Sequence, residues 1–194
     1  MIDRPSKLSL AIKRIFDFLF SLILLCVLSP LMLVLTIILT AAMNGKPFFT
    51  QKRIGKNGKS FKIYKFRTLT DKAPANSSLT EEDLVKYESK FGKFLRKYGL
   101  DEIPQLFNVL KGDMSLIGYR PLIPTDDCNT LRDFLKINFM RPGITGLAQI
   151  HGGNDMDTYD KLAYDHHYVN HWSLGEDFQI FFKTIYWILA GKHH

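Results

Sequence analysis

From Phe18 to Gly45 the chain carries no charged residue. As one straight helix this run of about 28 residues would measure about 42 Å, against about 30 Å of bilayer hydrocarbon. No later segment offers enough apolar surface to cover it, which excludes an ordinary soluble domain. Ser29-Pro30 lies near its middle. Proline there removes a backbone donor and crowds the preceding turn, so the helix is expected to kink or break at that point. Each half, about 13 residues, would reach about 20 Å, and neither would cross alone.

The flanks bear on topology. Arg4, Lys7, Lys13 and Arg14 precede the run; Lys46, Lys52, Arg53, Lys56, Lys59, Lys62, Lys65 and Arg67 follow it. Basic residues prefer the cytoplasmic side, and a re-entrant hairpin satisfies both flanks where a single crossing cannot. A kinked single span and a cleaved signal peptide are the alternatives; the second lacks a small-residue cleavage site. Over all 194 residues, 26 Lys+Arg against 19 Asp+Glu leave a net charge of +7. That charge points to nucleic acid, an anionic membrane surface or a phosphorylated substrate. Cys26 and Cys128 form neither a disulfide framework nor a zinc-ligand cluster, and the polar part is expected to face a reducing compartment.

Beyond the run, Phe48 to Gln51 and Phe61 to Phe66 read as strands joined by a basic turn at Asn57-Gly58. Thr70 to Thr80, with Pro74, reads as a surface loop. A helix is expected from about Glu81 to Lys97, with Leu84, Tyr87, Phe91, Phe94 and Leu95 on its core face. A shorter helix runs from Leu100 to Gly112, with Asp101, Glu102 and Pro104 in its first turn. Gly118 to Pro121 and Arg141 to Gly146 read as loops, each with an arginine beside proline and glycine; Cys128 to Phe139 reads as a helix between them. Phe178 to Leu189 is aromatic and amphipathic, suited to a membrane interface, although a core helix would look similar. With no internal repeat or low-complexity linker, the simplest organisation is an anchor over residues 1–45 and one domain over 46–194.

No Walker loop, dinucleotide fingerprint, Ser-His-Asp order or metal-spaced Cys/His set is present. What remains is acid and arginine. Adjacent carboxylates at a helix start, with Arg67, Arg96, Arg120 and Arg141, are the parts of a phosphoryl-transfer site: metal holder, nucleophile and charge clamp. Asp101 as a plain N-cap, Glu102 as its dipole-matched neighbour and the arginines as surface or salt-bridge residues are the competing readings. Paired glycosidase carboxylates fit less well, because adjacent residues do not face each other across a sugar. His166-His167 and His193-His194 lack acidic partners, and the last pair resembles a tag remnant.

The order Ser29-Pro30, Phe49 to Gly55, Lys65-Phe-Arg-Thr68, Leu100 to Ser115, Arg120-Pro121 and Arg141 to Gln149 resembles the monotopic phosphoglycosyl transferases, the bacterial sugar transferase family. The resemblance covers nearly the whole chain and is to the family's short members, which are without the extra N-terminal membrane domain of the larger ones. It implies an α/β, helix-rich (α+β) catalytic domain on a re-entrant helix-break-helix at the cytoplasmic face of the bacterial inner membrane. It further implies transfer of a sugar-1-phosphate from a UDP-sugar to polyprenyl phosphate, usually undecaprenyl phosphate, with release of UMP and Mg2+ as cofactor. By motif, Asp101 corresponds to the nucleophile and Glu102 to its metal-binding partner. Arg96, Arg120 and Arg141 match positions that hold phosphates or shape the site; Lys65 and Arg67 belong to the basic hairpin motif, and Asp165 matches an acidic position among the substrate-binding residues. Tyr119, Leu69 and Gly153 depart from the usual pattern, the last two beside the expected sugar. A polybasic membrane adaptor would leave the acidic pair without a reason. A nucleic-acid binder is not expected, because no binding module is recognisable. Homo-oligomerisation is left open.

Overall fold

The computed structural model describes residues 5–70, 72–73, 83, 86–153 and 156–190. Helix α1, Lys7–Ala42, is 36 residues long and begins at Ser6, whose hydroxyl accepts from the Ser9 N–H at 3.1 Å. The expected break at Ser29-Pro30 is not seen: helical structure continues through Pro30. The reason is local. Pro30 has no N–H for the Cys26 carbonyl four residues back, and the Ser29 hydroxyl donates to that carbonyl instead at 2.9 Å. Thr36 and Thr40 likewise return their hydroxyls to the helix, on Met32 O and Thr36 O at 2.7 Å each.

One face of α1 is buried, through Lys13, Asp17, Ser21, Leu25, Leu35 and Leu39 at multiples of about one helical turn. The other faces expose Phe16, Phe20, Ile23, Val27, Leu33 and Ile37. This helix is long and apolar enough to cross a bilayer, and little of its apolar stretch is buried within the protein. Membrane association follows from that exposure. Both ends of α1 nevertheless rest on the rest of the chain. Near the start, Lys13 Nζ donates to Asp177 Oδ2 at 2.7 Å, and Asp17 Oδ2 accepts from Ser115 Oγ at 2.7 Å. Near the end, Leu35, Leu39 and Met43 form a cluster with Phe66 and Leu95.

Strands β1, Phe48–Ile54, and β2, Ser60–Phe66, make the expected antiparallel hairpin, with Phe48 opposite Phe66 and Ile54 opposite Ser60. Its turn needs positive φ at Asn57 (56°) and Gly58 (72°), residues that tolerate it. Of the longer helix expected from Glu81, Asp83, Lys86 and Tyr87 are helical among the described residues, but it is interrupted at Glu88 and Ser89. Leu69 bridges Glu88, Ser89 caps a new start by accepting from the Gly92 N–H at 2.8 Å, and α2 spans Lys90–Lys97. Pro74, Leu84 and most of the expected Thr70 to Thr80 loop lie outside the described residues, as do Arg4, His193 and His194.

A 3₁₀ turn, Leu100–Gln105, runs into α3, Leu106–Lys111, which Gly112 ends at φ 91°. Gly118 to Pro121 is a loop, as expected, whereas the Arg141 loop contains a strand. Strands β3, Ser115–Ile117, and β4, Gly143–Thr145, pair in parallel, Ser115 with Gly143 and Ile117 with Thr145. Side chains do not fit at the crossing: a Cβ on Gly143 would lie 2.1 Å from Gly118 N. Those glycines bring the Arg120 and Arg141 segments side by side. Helix α4 spans Cys128–Phe134 and stops short of Phe139, because Lys136 adopts φ 57° before a short 3₁₀ turn.

Helices α5, Thr158–His171, and α6, Leu174–Leu189, close the fold. Tyr119, Ile137, Met140, Tyr168, Val169 and Ile180 form the core beneath β3 and β4. On α6 the buried Asp177 and Ile180 face inward while Phe178, Phe182, Ile185, Tyr186 and Leu189 are exposed, the stripe expected of an interfacial helix. The architecture is a helix-rich α+β arrangement of two small sheets on one long apolar helix.

Candidate active site

The acid pair sits in the 3₁₀ turn between α2 and α3. Gly99, at φ 63°, occupies the cap position, so Asp101 lies one residue inside the turn. No side chain makes a capping hydrogen bond there. The N-cap reading of Asp101 is therefore not what the structure shows. Asp101 and Glu102 are only 6% and 4% exposed, although carboxylates belong in water unless partnered.

Their partners come from two other segments. Lys65, near the end of β2, places Nζ 2.5 Å from Glu102 Oε1 and 3.9 Å from Asp101 Oδ2. Arg120, just past β3, places Nη2 3.0 Å from the same Glu102 oxygen. Asn108 on α3 holds β2 in place: its Oδ1 accepts from the Tyr64 N–H at 3.0 Å and its Nδ2 donates to Lys62 O at 2.7 Å. Burial pushes the Asp101 carboxyl up; Lys65 pulls it back most, neighbouring Glu102 pushes it further up, and Arg96 and Arg120 pull it down. Glu102 in turn holds the Arg120 guanidinium more firmly protonated, against the opposing effect of burial.

The other expected residues lie as follows. Arg96, at the end of α2, pairs with Glu88 at 3.4 Å and acts on Asp101 through space. Arg67 follows β2, half-buried, with its backbone N–H on Pro47 O at 2.8 Å. Arg141 turns from the acid pair: its Nε donates to Gly112 O at 2.7 Å. Arg14 joins it there, donating to Val109 O at 2.6 Å and Leu110 O at 3.0 Å, so two guanidiniums cap the C-terminal end of α3. Asp165, on α5, is buried against Arg132 rather than beside Asp101. Burial pushes its carboxyl up to about 7 while Arg132 pulls it down.

Sequence reading missed Arg53 and Arg132. Arg53 donates from Nη1 to Pro121 O at 3.0 Å, and burial together with nearby Arg120 lowers its pKa to about 10. A signal for it existed, since it stands inside the Phe49 to Gly55 motif. Arg132 lies in a mixed polar helix where nothing local distinguishes it.

Among the described residues no three His, Cys, Asp or Glu side chains gather as a metal cage. The adjacent carboxylates fit a different mode. Mg2+ is held through one or two carboxylates, with substrate phosphates and waters completing its shell, and Glu102 beside Asp101 could supply such an oxygen. The site thus offers a buried carboxylate, a second carboxylate beside it, and Lys65 and Arg120 as cations reaching the pair from two segments, with Arg53 on the neighbouring Pro121 carbonyl. That is equipment for handling a phosphorylated, multiply anionic substrate.

The fold and site define a helix-rich α+β domain on a long apolar helix with a buried, cation-flanked acid pair, and the profile of the bacterial sugar transferase family matches residues 8–191. The chain belongs to that family. It is 38% identical over 193 residues to the UDP-N-acetylgalactosamine-undecaprenyl-phosphate N-acetylgalactosaminephosphotransferase of Aeromonas hydrophila, covering 96% of this chain and 46% of that protein. It is 38% identical to the undecaprenyl-phosphate galactose phosphotransferase of Salmonella typhimurium, covering 89% of this chain and 39% of that protein. The exopolysaccharide production protein ExoY of Sinorhizobium fredii is also 38% identical, with 89% of this chain and 83% of that protein covered. The chain spans less than half the length of the first two relatives.

Proposed function

We propose that this protein transfers a sugar-1-phosphate from a UDP-sugar to undecaprenyl phosphate, releasing UMP, through a covalent intermediate on Asp101. The carrying observation is the buried Asp101 beside Glu102, with Lys65 and Arg120 converging on the pair. The names of the Aeromonas and Salmonella relatives support the substrate class.

In this reading the Asp101 carboxylate attacks the β-phosphorus of the UDP-sugar. The bond from that phosphorus to the bridging oxygen breaks, and UMP leaves with its electron pair. The resulting acyl phosphate joins Asp101 to the sugar phosphate. An oxygen of the polyprenyl phosphate then attacks the same phosphorus and Asp101 departs as carboxylate, giving the polyprenyl diphosphate sugar. Burial makes Asp101 more basic and so a better nucleophile, while Lys65 and the arginines keep it ionised beside an anionic substrate. Arg120 and Lys65 hold the diphosphate, Arg120 in a forked geometry. Glu102 would hold Mg2+, which when bound offsets the diphosphate charge.

The topology proposed is re-entrant, with both ends of α1 on the cytoplasmic face. Its support is that Lys13 and Asp17 at one end and Leu39 and Met43 at the other contact the same domain, beside two basic flanks.

The test is UMP release from a panel of UDP-sugars with undecaprenyl phosphate, run with Asp101→Asn. Asparagine keeps size and polarity, so the variant should stay folded while turnover falls by about 1,000-fold or more. Rapid quench with labelled UDP-sugar should trap a phosphosugar on Asp101 of the unsubstituted protein. UMP release that requires both substrates together, with no adduct, would replace the two-step reading with direct attack by the lipid phosphate.

A further inference from the structure

The segment that carries Arg120 is held from two sides by guanidiniums that touch neither acid of the pair. Arg132, on α4, donates from Nη1 to the Arg120 carbonyl at 2.6 Å and from Nη2 to Asp165 Oδ2 at 2.5 Å. The next carbonyl, that of Pro121, accepts from Arg53 Nη1 at 3.0 Å, and the one after, Leu122, accepts from the Ile54 N–H at 2.9 Å. Three successive main-chain oxygens are thereby fixed. Behind them the Arg132 guanidinium lies 5.2 Å from the centroid of the Tyr119 ring, which is itself buried.

The pair behind this grip is dry, with the Arg132 and Asp165 side chains 4% and 3% exposed. A buried ion pair is a poor means of stabilising a fold, because desolvation offsets much of its attraction and apolar residues of similar volume serve as well. What apolar residues cannot do is aim a forked donor at one chosen carbonyl. Here that carbonyl belongs to the residue whose side chain reaches Glu102 at 3.0 Å.

We propose that Arg132 and Asp165 are a positioning pair: they fix the Arg120 main chain so that its guanidinium is pre-set for the substrate diphosphate. Asp165 orients Arg132, and Arg132 orients Arg120; neither contacts substrate. This rests on reading Arg120 as a diphosphate-holding group, and it gives Asp165 a positioning role in place of the substrate contact implied by its motif.

The test uses the full chain in membranes or nanodiscs. Arg132→Gln alone would leave Asp165 buried without its cation and could unfold the domain, so the principal variant is Arg132→Gln with Asp165→Asn, which removes both charges together. Hydrogen exchange should rise about 10-fold or more in the peptide covering residues 115–123, with the rest of the chain little changed. For UMP release, kcat/KM should fall by on the order of 100-fold, as misplacement by about an ångström can. In an Arg120→Ala background the same pair of substitutions should cost less than about 2-fold more, since the group they position is gone. Unchanged exchange over 115–123 in a folded variant overturns the proposal, and so do losses that multiply in the Arg120→Ala background. If the unsubstituted protein releases no UMP from any UDP-sugar, it is the reading under Proposed function that fails, and the exchange measurement decides the positioning role by itself.

Discussion

Lys65 lies 2.5 Å from Glu102, and it reaches the acid pair from a strand 37 residues earlier in the chain. With its side chain 16% exposed and its Nζ also 3.9 Å from Asp101, it is the largest influence opposing burial of that carboxyl. A basic hairpin beside a membrane would suggest lipid headgroups as partners. This residue instead spends its charge on the site.

Lys65→Met should therefore act on both binding and pH response. Removing the cation lets burial push Asp101 higher still, so less of the nucleophile is ionised at a given pH. The acid limb of kcat/KM should move to higher pH, and the rate near neutrality should fall by about 100-fold. An acid limb that stays in place would show that Lys65 does not govern the ionisation of the reacting group.

The two loop arginines should separate. Arg120→Lys keeps charge but loses the planar guanidinium whose Nη2 reaches Glu102 and whose fork would hold the diphosphate, so turnover should fall at least 10-fold with thermal stability little changed. Arg141→Lys removes the bond to Gly112 O and should cost about 1 kcal/mol of stability, with the smaller effect on turnover. Thermal unfolding and UMP release on the same preparations compare them. If Arg141→Lys is the more damaging to turnover at normal stability, Arg141 moves to the diphosphate.

Gly143→Ala tests the crossing of β3 and β4. Its Cβ would meet Gly118 N at 2.1 Å and Thr145 O at 2.4 Å, both backbone atoms that cannot swing aside. The substitution should destabilise by on the order of 3 kcal/mol or prevent folding, as overpacking against backbone does. A variant of unchanged melting temperature would mean that the two arginine segments are not held this closely.

For topology, cysteines placed by Pro5→Cys and Pro47→Cys, in a chain with Cys26 and Cys128 replaced by serine, should both react with an impermeant reagent from the cytoplasmic side only. Labelling of either from the opposite side rules out the re-entrant arrangement.

Much of this protein was determined by short-range sequence alone. The apolar run, the Asn57-Gly58 hairpin, the Gly112 helix stop and the acid pair in a first turn all depend on residues within a few positions of one another, where φ preferences and periodicity act directly. Pro30 shows the limit of that logic: the proline is a local signal, yet Ser29 supplied the Cys26 carbonyl with another donor and the helix continued. Only the tertiary structure decided which charges meet. Arg120 reaches Glu102 and Arg132 reaches Asp165 across separations of 18 and 33 residues, while Arg141, an equal candidate by motif, turns to Gly112. Long, charged side chains have no local preference for one partner over another. Their choice follows from the path of the backbone, here the close crossing at Gly118 and Gly143 that sets where each arginine begins.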